Sequence, residues 1–122
     1  MRSILIVEDE KISSMLLEHL VSRLGWSIAG SVSSGEEAIR CAESAQPDLI
    51  IMDVGLRGDI NGIEAANAIC QRKPIPVLFL SAYTYEEITR HHALPEVFEF
   101  LAKPVMIDEL KDKLNAMFSR VQ

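Results

Sequence analysis

Short apolar runs alternate along this chain with longer stretches in which apolar residues return every three or four positions. Ser3–Val7 (SILIV) is the first run, closed by Glu8, Asp9 and Glu10. Ile12, Met15, Leu16, His19, Leu20 and Leu24 then recur at helical spacing, and Gly25 is placed to stop that helix as its C′ residue. A second, weaker strand is expected over residues 26–32. Ser34 with Glu37 has capping-box spacing, opening a helix over about 35–44 with Ile39 and Ala42 inward. Residues 47–53 (PDLIIMD) carry a continuous apolar run, too short for a helix, that begins after a proline and ends in Asp53. Such a run reads as a strand buried on both faces.

The alternation continues to the end. A polar loop with glycines spans residues 55–62, and Asn61 with Glu64 looks like the cap of a third helix. Pro74 and Pro76 bracket the approach to a fourth strand, residues 77–80, which ends at Ser81 and Ala82. Thr84 and Glu87 repeat the capping spacing and open a fourth helix that ends near Leu94 and Pro95. Residues 97–102 form a fifth strand before Lys103-Pro104, and Ile107, Leu110, Leu114, Met117 and Val121 make the apolar stripe of a final helix. Five strands alternating with five helices predict an α/β fold of flavodoxin-like type, a doubly wound five-stranded parallel sheet in the order 2-1-3-4-5.

That order has a chemical consequence. Strands 1 and 3 are neighbours where the winding reverses, and their carboxyl ends open a crevice. Glu8 and Asp9 end strand 1, Asp53 ends strand 3, Ser81 ends strand 4 and Lys103 follows strand 5. Carboxylates about 4 Å apart repel by roughly 4 kcal/mol per pair at an effective dielectric near 20, so a cation belongs among them. Mg²⁺ suits these hard oxygen ligands, and one Mg²⁺ with Lys103 balances the formal charge of Glu8, Asp9 and Asp53. Zinc does not suit them, since no Cys or His falls in the crevice.

Composition narrows the class. With 122 residues, 48% of them hydrophobic, the chain fits one domain, residues 1–122, with a sizeable core. A net charge of −6 argues against non-specific nucleic-acid binding. No apolar run approaches a membrane span and no signal-peptide pattern opens the chain, so a cytoplasmic protein without membrane contact is expected. Cys41 and Cys70 lack metal or redox spacing and read as free, buried thiols. His91 and His92 read as solvent-facing.

Taken together, the acidic pair Glu8-Asp9, the strand-end Asp53, the hydroxyl residue Ser81 followed by Ala82, and Lys103-Pro104 resemble, over essentially the whole chain, the receiver domains of two-component response regulators, including the chemotaxis regulators. By this resemblance Asp53 accepts a phosphoryl group from a sensor histidine kinase or a histidine phosphotransfer protein, forming an aspartyl phosphate. Asp9 would bind Mg²⁺ directly, Glu8 through water and Gly55 through its carbonyl, with Asp53 itself a further ligand. Lys103 would pair with a phosphoryl oxygen and the Ser81 hydroxyl would move to another. Phe100 matches the family's switch aromatic, so the fourth and fifth helices and the fifth strand would form the output face toward an unknown protein target. The start of the first helix, residues 11–14, is the expected kinase-docking segment. Such a chain is a self-phosphorylating switch rather than a conventional enzyme, a monomer or weak homodimer, either stand-alone or a piece of a longer regulator or hybrid kinase.

Each motif also has a plainer reading. Glu8, Asp9 and Glu10 equally suit a solvated helix entrance, Ser81 a loop hydroxyl, and Phe100 a core aromatic. The loop after Asp53 departs from the family, with Gly55-Leu56-Arg57-Gly58-Asp59 in place of a methionine-proline pair and one extra residue before Asn61. Gly55 offers no side chain to shield an acyl phosphate, a part that Tyr83 is expected to take. Phe100 stands where a tyrosine is commoner. A haloacid-dehalogenase-type phosphatase would need a second acid where Gly55 stands, and a dinucleotide or flavin site would be repelled by the acidic first turn. A pseudo-receiver, an interaction module that is never phosphorylated, is the alternative from another class.

Overall fold

The structure is a computed structural model that describes residues 2–82 and 93–120. Its strands are β1 (Ser3–Val7), β2 (Ser27–Val32), β3 (Leu49–Asp53), β4 (Val77–Ser81) and β5 (Phe98–Ala102). Its helices among the described residues are α1 (Lys11–Arg23), α2 (Gly35–Ala45), α3 (Gly62–Arg72) and α4 (Ile107–Arg120). The helix expected from Thr84, with Tyr83, His91 and His92, lies outside the described residues. All five strands pair in parallel, in the order β2-β1-β3-β4-β5.

Two helical layers cover this sheet. Alternate strand residues point to opposite faces, so Leu5, Val7, Ile50, Met52, Val77 and Phe79 meet Ala38, Ala42, Ile63, Ala66 and Ile69 of α2 and α3. Ile4, Ile6, Leu49, Ile51, Leu78 and Leu80 meet Leu17, Leu20 and Val21 of α1 and Leu110, Leu114, Met117 and Phe118 of α4. β3 and β4 are buried at every residue, whereas β2, on the sheet edge, is only half-buried.

The helix ends follow local chemistry. Gly25, at φ +95, takes the left-handed C′ position after α1. Its N–H donates to the Ser22 carbonyl at 3.1 Å and that of Trp26 to Val21 at 3.3 Å, the paired bonds of a Schellman motif. Ser34 caps α2 by accepting the Glu37 N–H. The two Ser hydroxyls at 33 and 34 donate to the Glu37 carboxylate and lower its pKa. Asn61 and Glu64 form a reciprocal capping box at the start of α3.

Two expectations need correction. Of the residues at helical spacing in α1, Leu20 and Leu24 face inward, joined by Leu17 and Val21, whereas Ile12, Met15 and Leu16 are exposed on the adjoining face. Both stripes have helical spacing, and only the position of the sheet and α4 selects between them. Cys41 and Cys70 are free but half-buried rather than buried. The Cys70 thiol donates to the Ile75 carbonyl, and burial pushes its pKa up.

Candidate functional site

Asp53 closes β3 at the carboxyl end of the sheet, in register with Leu80 of β4. After the loop of residues 54–61 the chain returns to this strand end to begin α3. The Val54 N–H bonds to the Leu80 carbonyl, the Gly62 N–H bonds to Val54, and a Cβ on Gly62 would collide with the Asp53 carbonyl oxygen. Glycine at 62 is what lets α3 begin directly against the strand end, so that backbone fixes the Asp53 carboxylate. Its Oδ1 accepts the Gly55 N–H at 3.1 Å and lies 3.2 Å from Lys103 Nζ.

Glu8 and Asp9 come from the end of neighbouring β1. Glu8 Oε1 accepts the Glu10 N–H at 3.1 Å, while Oε2 pairs with Lys103 Nζ at 3.4 Å. Asp9 Oδ2 accepts the Arg57 N–H at 3.1 Å and pairs with Arg57 Nε at 3.4 Å. One oxygen from each of Glu8, Asp9 and Asp53 falls within 4.8 Å of the others. Lys103 reaches the cluster because its N–H bonds to the Ser81 carbonyl at the end of β4; the Lys103–Pro104 peptide is cis.

Burial separates the members. Glu8, Asp53 and Ser81 are 2%, 5% and 4% exposed, whereas the Asp9 side chain is 14% and that of Lys103 30% exposed. Desolvation, with the neighbouring charge of Asp53, raises the pKa of Glu8 against the opposing effect of the Glu10 N–H and Lys103. Burial alone would depress the Lys103 ammonium, but Asp53 and Glu8 outweigh it and hold its pKa above the usual value. The crevice therefore carries more negative charge than its one lysine neutralises. A donor set of clustered carboxylate oxygens fits a hard divalent cation.

The expected members thus converge, with Gly55 bonded to Asp53, and Ser81 in register with Ala102, the residue before Lys103. Phe100 lies one strand away, its ring stacked on Phe79 at 5.2 Å and edge-on to Phe98 at 5.8 Å. It is half-buried and belongs to the α2/α3 side of the core. Two features escaped the sequence reading. Arg57 was visible only as part of an unusually polar loop, yet it pairs with Asp9. The other is a groove of about 400 Å³ that opens beside Glu8 and Lys103, lined by Ser13, Leu16, Leu17, Leu80, Pro104 and Val105. Its signal was the surplus of apolar residues at the start of α1.

The strand order and the acids and lysine at its reversal point define a flavodoxin-like α/β domain built around an acidic crevice. The response regulator receiver domain profile matches residues 4–115, and the chain belongs to that family, whose members are signalling switches of two-component systems. It is 33% identical over 120 residues to the transcriptional regulatory protein PdtaR of Mycobacterium tuberculosis, covering 98% of this chain and 58% of that protein. Against the phyllosphere-induced regulator PhyR of Methylorubrum extorquens it is 37% identical over 102 residues, 83% of this chain and 38% of that protein. The chain thus spans well under two thirds of these relatives. Among solved structures, the signal receiver domain of a modulated diguanylate cyclase from Desulfovibrio desulfuricans G20 superposes with a TM-score of 0.88 at 30% identity, covering 97% of this chain and 94% of that one. Among the described residues no helix is long and apolar enough to cross a membrane.

Proposed function

We propose that residues 1–122 form a phosphorylatable receiver, in which Asp53 takes a phosphoryl group from a phosphohistidine on a sensor histidine kinase or histidine phosphotransfer protein. The observation that carries this reading is the lysine held against the acceptor, Lys103 Nζ at 3.2 Å from Asp53 Oδ1, in a pocket shared with Glu8 and Asp9. Phosphoryl transfer asks for an in-line nucleophile and for charge neutralisation more than for acid–base chemistry. An Asp53 oxygen bonds to phosphorus as the P–N bond to the donor imidazole breaks, its electron pair staying on nitrogen. Lys103, kept cationic by its carboxylate neighbours, is the partner for one phosphoryl oxygen. The residues that would hold Mg²⁺ are Asp9, Asp53 and the Gly55 carbonyl, with Glu8 through water. The ion, when bound, neutralises phosphoryl charge.

Output follows from the same site. The new phosphate draws the Ser81 hydroxyl toward it, and Phe100 changes its packing in response, altering the face formed by β5, by α4, which is the expected fifth helix, and by the fourth helix expected from Thr84, toward a protein target. Mass spectrometry after incubation with acetyl phosphate and Mg²⁺ tests the acceptor. A Mg²⁺-dependent adduct of one phosphoryl group, absent in Asp53→Asn, is expected. No adduct, with no binding of beryllofluoride either, would return the chain to the pseudo-receiver reading.

The donor face is read from the surface. Ile12, Met15, Leu16 and Met106 are 83%, 59%, 49% and 58% exposed, and Leu16 lines the groove beside Lys103. Large apolar side chains gathered beside a reactive crevice mark a protein contact. Ile12→Asp is expected to slow transfer from a cognate phosphorylated donor about tenfold, the scale of one interface anchor, while labelling by acetyl phosphate stays at the wild-type rate. Equal rates from the protein donor would remove this face from the docking surface.

A further inference from the structure

The acidic crevice has a second cation that the acceptor chemistry does not use. Arg57 stands in the loop between β3 and α3, and it touches Asp9 twice through the same oxygen. Its backbone N–H donates to Asp9 Oδ2 at 3.1 Å and its Nε lies 3.4 Å from that atom. The first contact is a hydrogen bond and the second an ion pair. The backbone contact ties the loop to the end of β1, whereas the guanidinium contact is made by a side chain 83% exposed, on a carboxylate only 14% exposed. An exposed arginine that settles on a largely buried acid does so because the acid sits in a field of like charge, with Glu8 and Asp53 beside it.

We infer that Arg57 is a built-in counter-ion of the acidic crevice and that a divalent cation must compete with its guanidinium for Asp9 in order to bind. The inference rests on the proposed cation site and adds a determinant of its affinity. Asp9 Oδ2 accepts the Arg57 backbone N–H and also carries the guanidinium as an ion pair, so this oxygen already faces one donor and one positive charge from Arg57. A cation that takes this oxygen replaces the weaker, side-chain contact and leaves the backbone bond in place. A cation that takes the other oxygen meets a positive group held against the same carboxylate, and like charges at that range repel. In either case the arginine competes with the ion, and the polar loop that carries it sets the concentration at which the site fills.

Arg57 is exposed, so its removal leaves the core intact and the test reads binding directly. The probe is Mn²⁺ alone, followed by the loss of its free paramagnetic-resonance signal on titration of the unphosphorylated protein. Arg57→Gln is expected to bind Mn²⁺ about three- to fivefold more tightly than wild type, the scale of one exposed ion pair. Arg57→Lys should stay near wild type, and the gain should shrink at high ionic strength as screening weakens the competing charge. Lys73→Gln removes the same charge at the far end of α3 and should leave affinity unchanged. Equal affinity in wild type and Arg57→Gln, with Asp9→Asn severely weakened, overturns the role of Arg57 and leaves the cation site standing. Equal tightening in Arg57→Gln and Lys73→Gln also overturns it, because net charge alone then accounts for the effect. Undetectable Mn²⁺ binding in every variant overturns the site and the inference together.

Discussion

The two ends of the sheet are built from the same strands and differ in how far their charges are balanced. At the amino ends, Asp48 accepts the Ser3 N–H at 2.8 Å and the Ser27 hydroxyl donates to the Arg2 carbonyl. There Phe118 of α4 packs on Trp26 with ring centroids 5.4 Å apart, and the Arg2 guanidinium lies 4.6 Å from the Phe118 centroid. At the carboxyl ends, Glu8 and Asp53 are about as buried as that phenylalanine, yet they share a single lysine. The first end is held by contacts of its own that contribute stability. The second holds more negative charge than its lysine balances, and its clustered carboxylate oxygens fit a hard divalent cation. Stability and function are thus separated along the strand axis, with the β-sheet as the common frame.

The largest break in this comparison is at the amino end. Phe118→Ala removes a side chain 4% exposed together with its stacking on Trp26. A loss of about 3–5 kcal/mol in urea unfolding is expected, with Trp26 fluorescence reporting the local change. An unaffected midpoint would show that this end is not the anchor described.

The carboxyl end should respond with the opposite sign. The folded chain raises the pKa of Glu8, so the folded state binds its proton more tightly than the unfolded one, and stability falls as pH rises from the ordinary carboxylate range, roughly pH 4–5, through the raised value. Glu8→Gln removes this penalty. Without divalent ions the variant is expected to melt above wild type at pH 7, by less than the Phe118 effect. The two curves should converge as pH falls below the ordinary carboxylate range. Saturating Mg²⁺ should reverse their order, since a cation that binds only the folded state stabilises the better site more. A lower melting temperature for Glu8→Gln in the absence of ions would mean that its pair with Lys103 outweighs the burial penalty.

Legibility from the chain varied with how local the signal was. The run at Leu49–Asp53 is apolar throughout because β3 is buried on both faces, and its ending in an acid was readable without coordinates. The caps at Ser34 and Asn61 were equally plain, since each is made by residues within one turn. The inward face of α1 was readable only in part, at Leu20 and Leu24, because two adjoining stripes are both apolar and only one meets the sheet. Phe100 shows the same limit, its partners Phe79 and Phe98 being defined by strand pairing and by one face of the sheet.

The sequence by itself determined the alternation of strands and helices and the five polar residues Glu8, Asp9, Asp53, Ser81 and Lys103 at the strand ends. It did so because periodicity and local capping depend on neighbours a few positions apart. Only the tertiary structure decided that Lys103 lies between Asp53 and Glu8, that glycine at 62 lets α3 start against the Asp53 carbonyl, and that Arg57 rests on Asp9. Those contacts join residues as much as 95 positions apart, and their geometry is set by packing of the whole sheet rather than by any stretch of it.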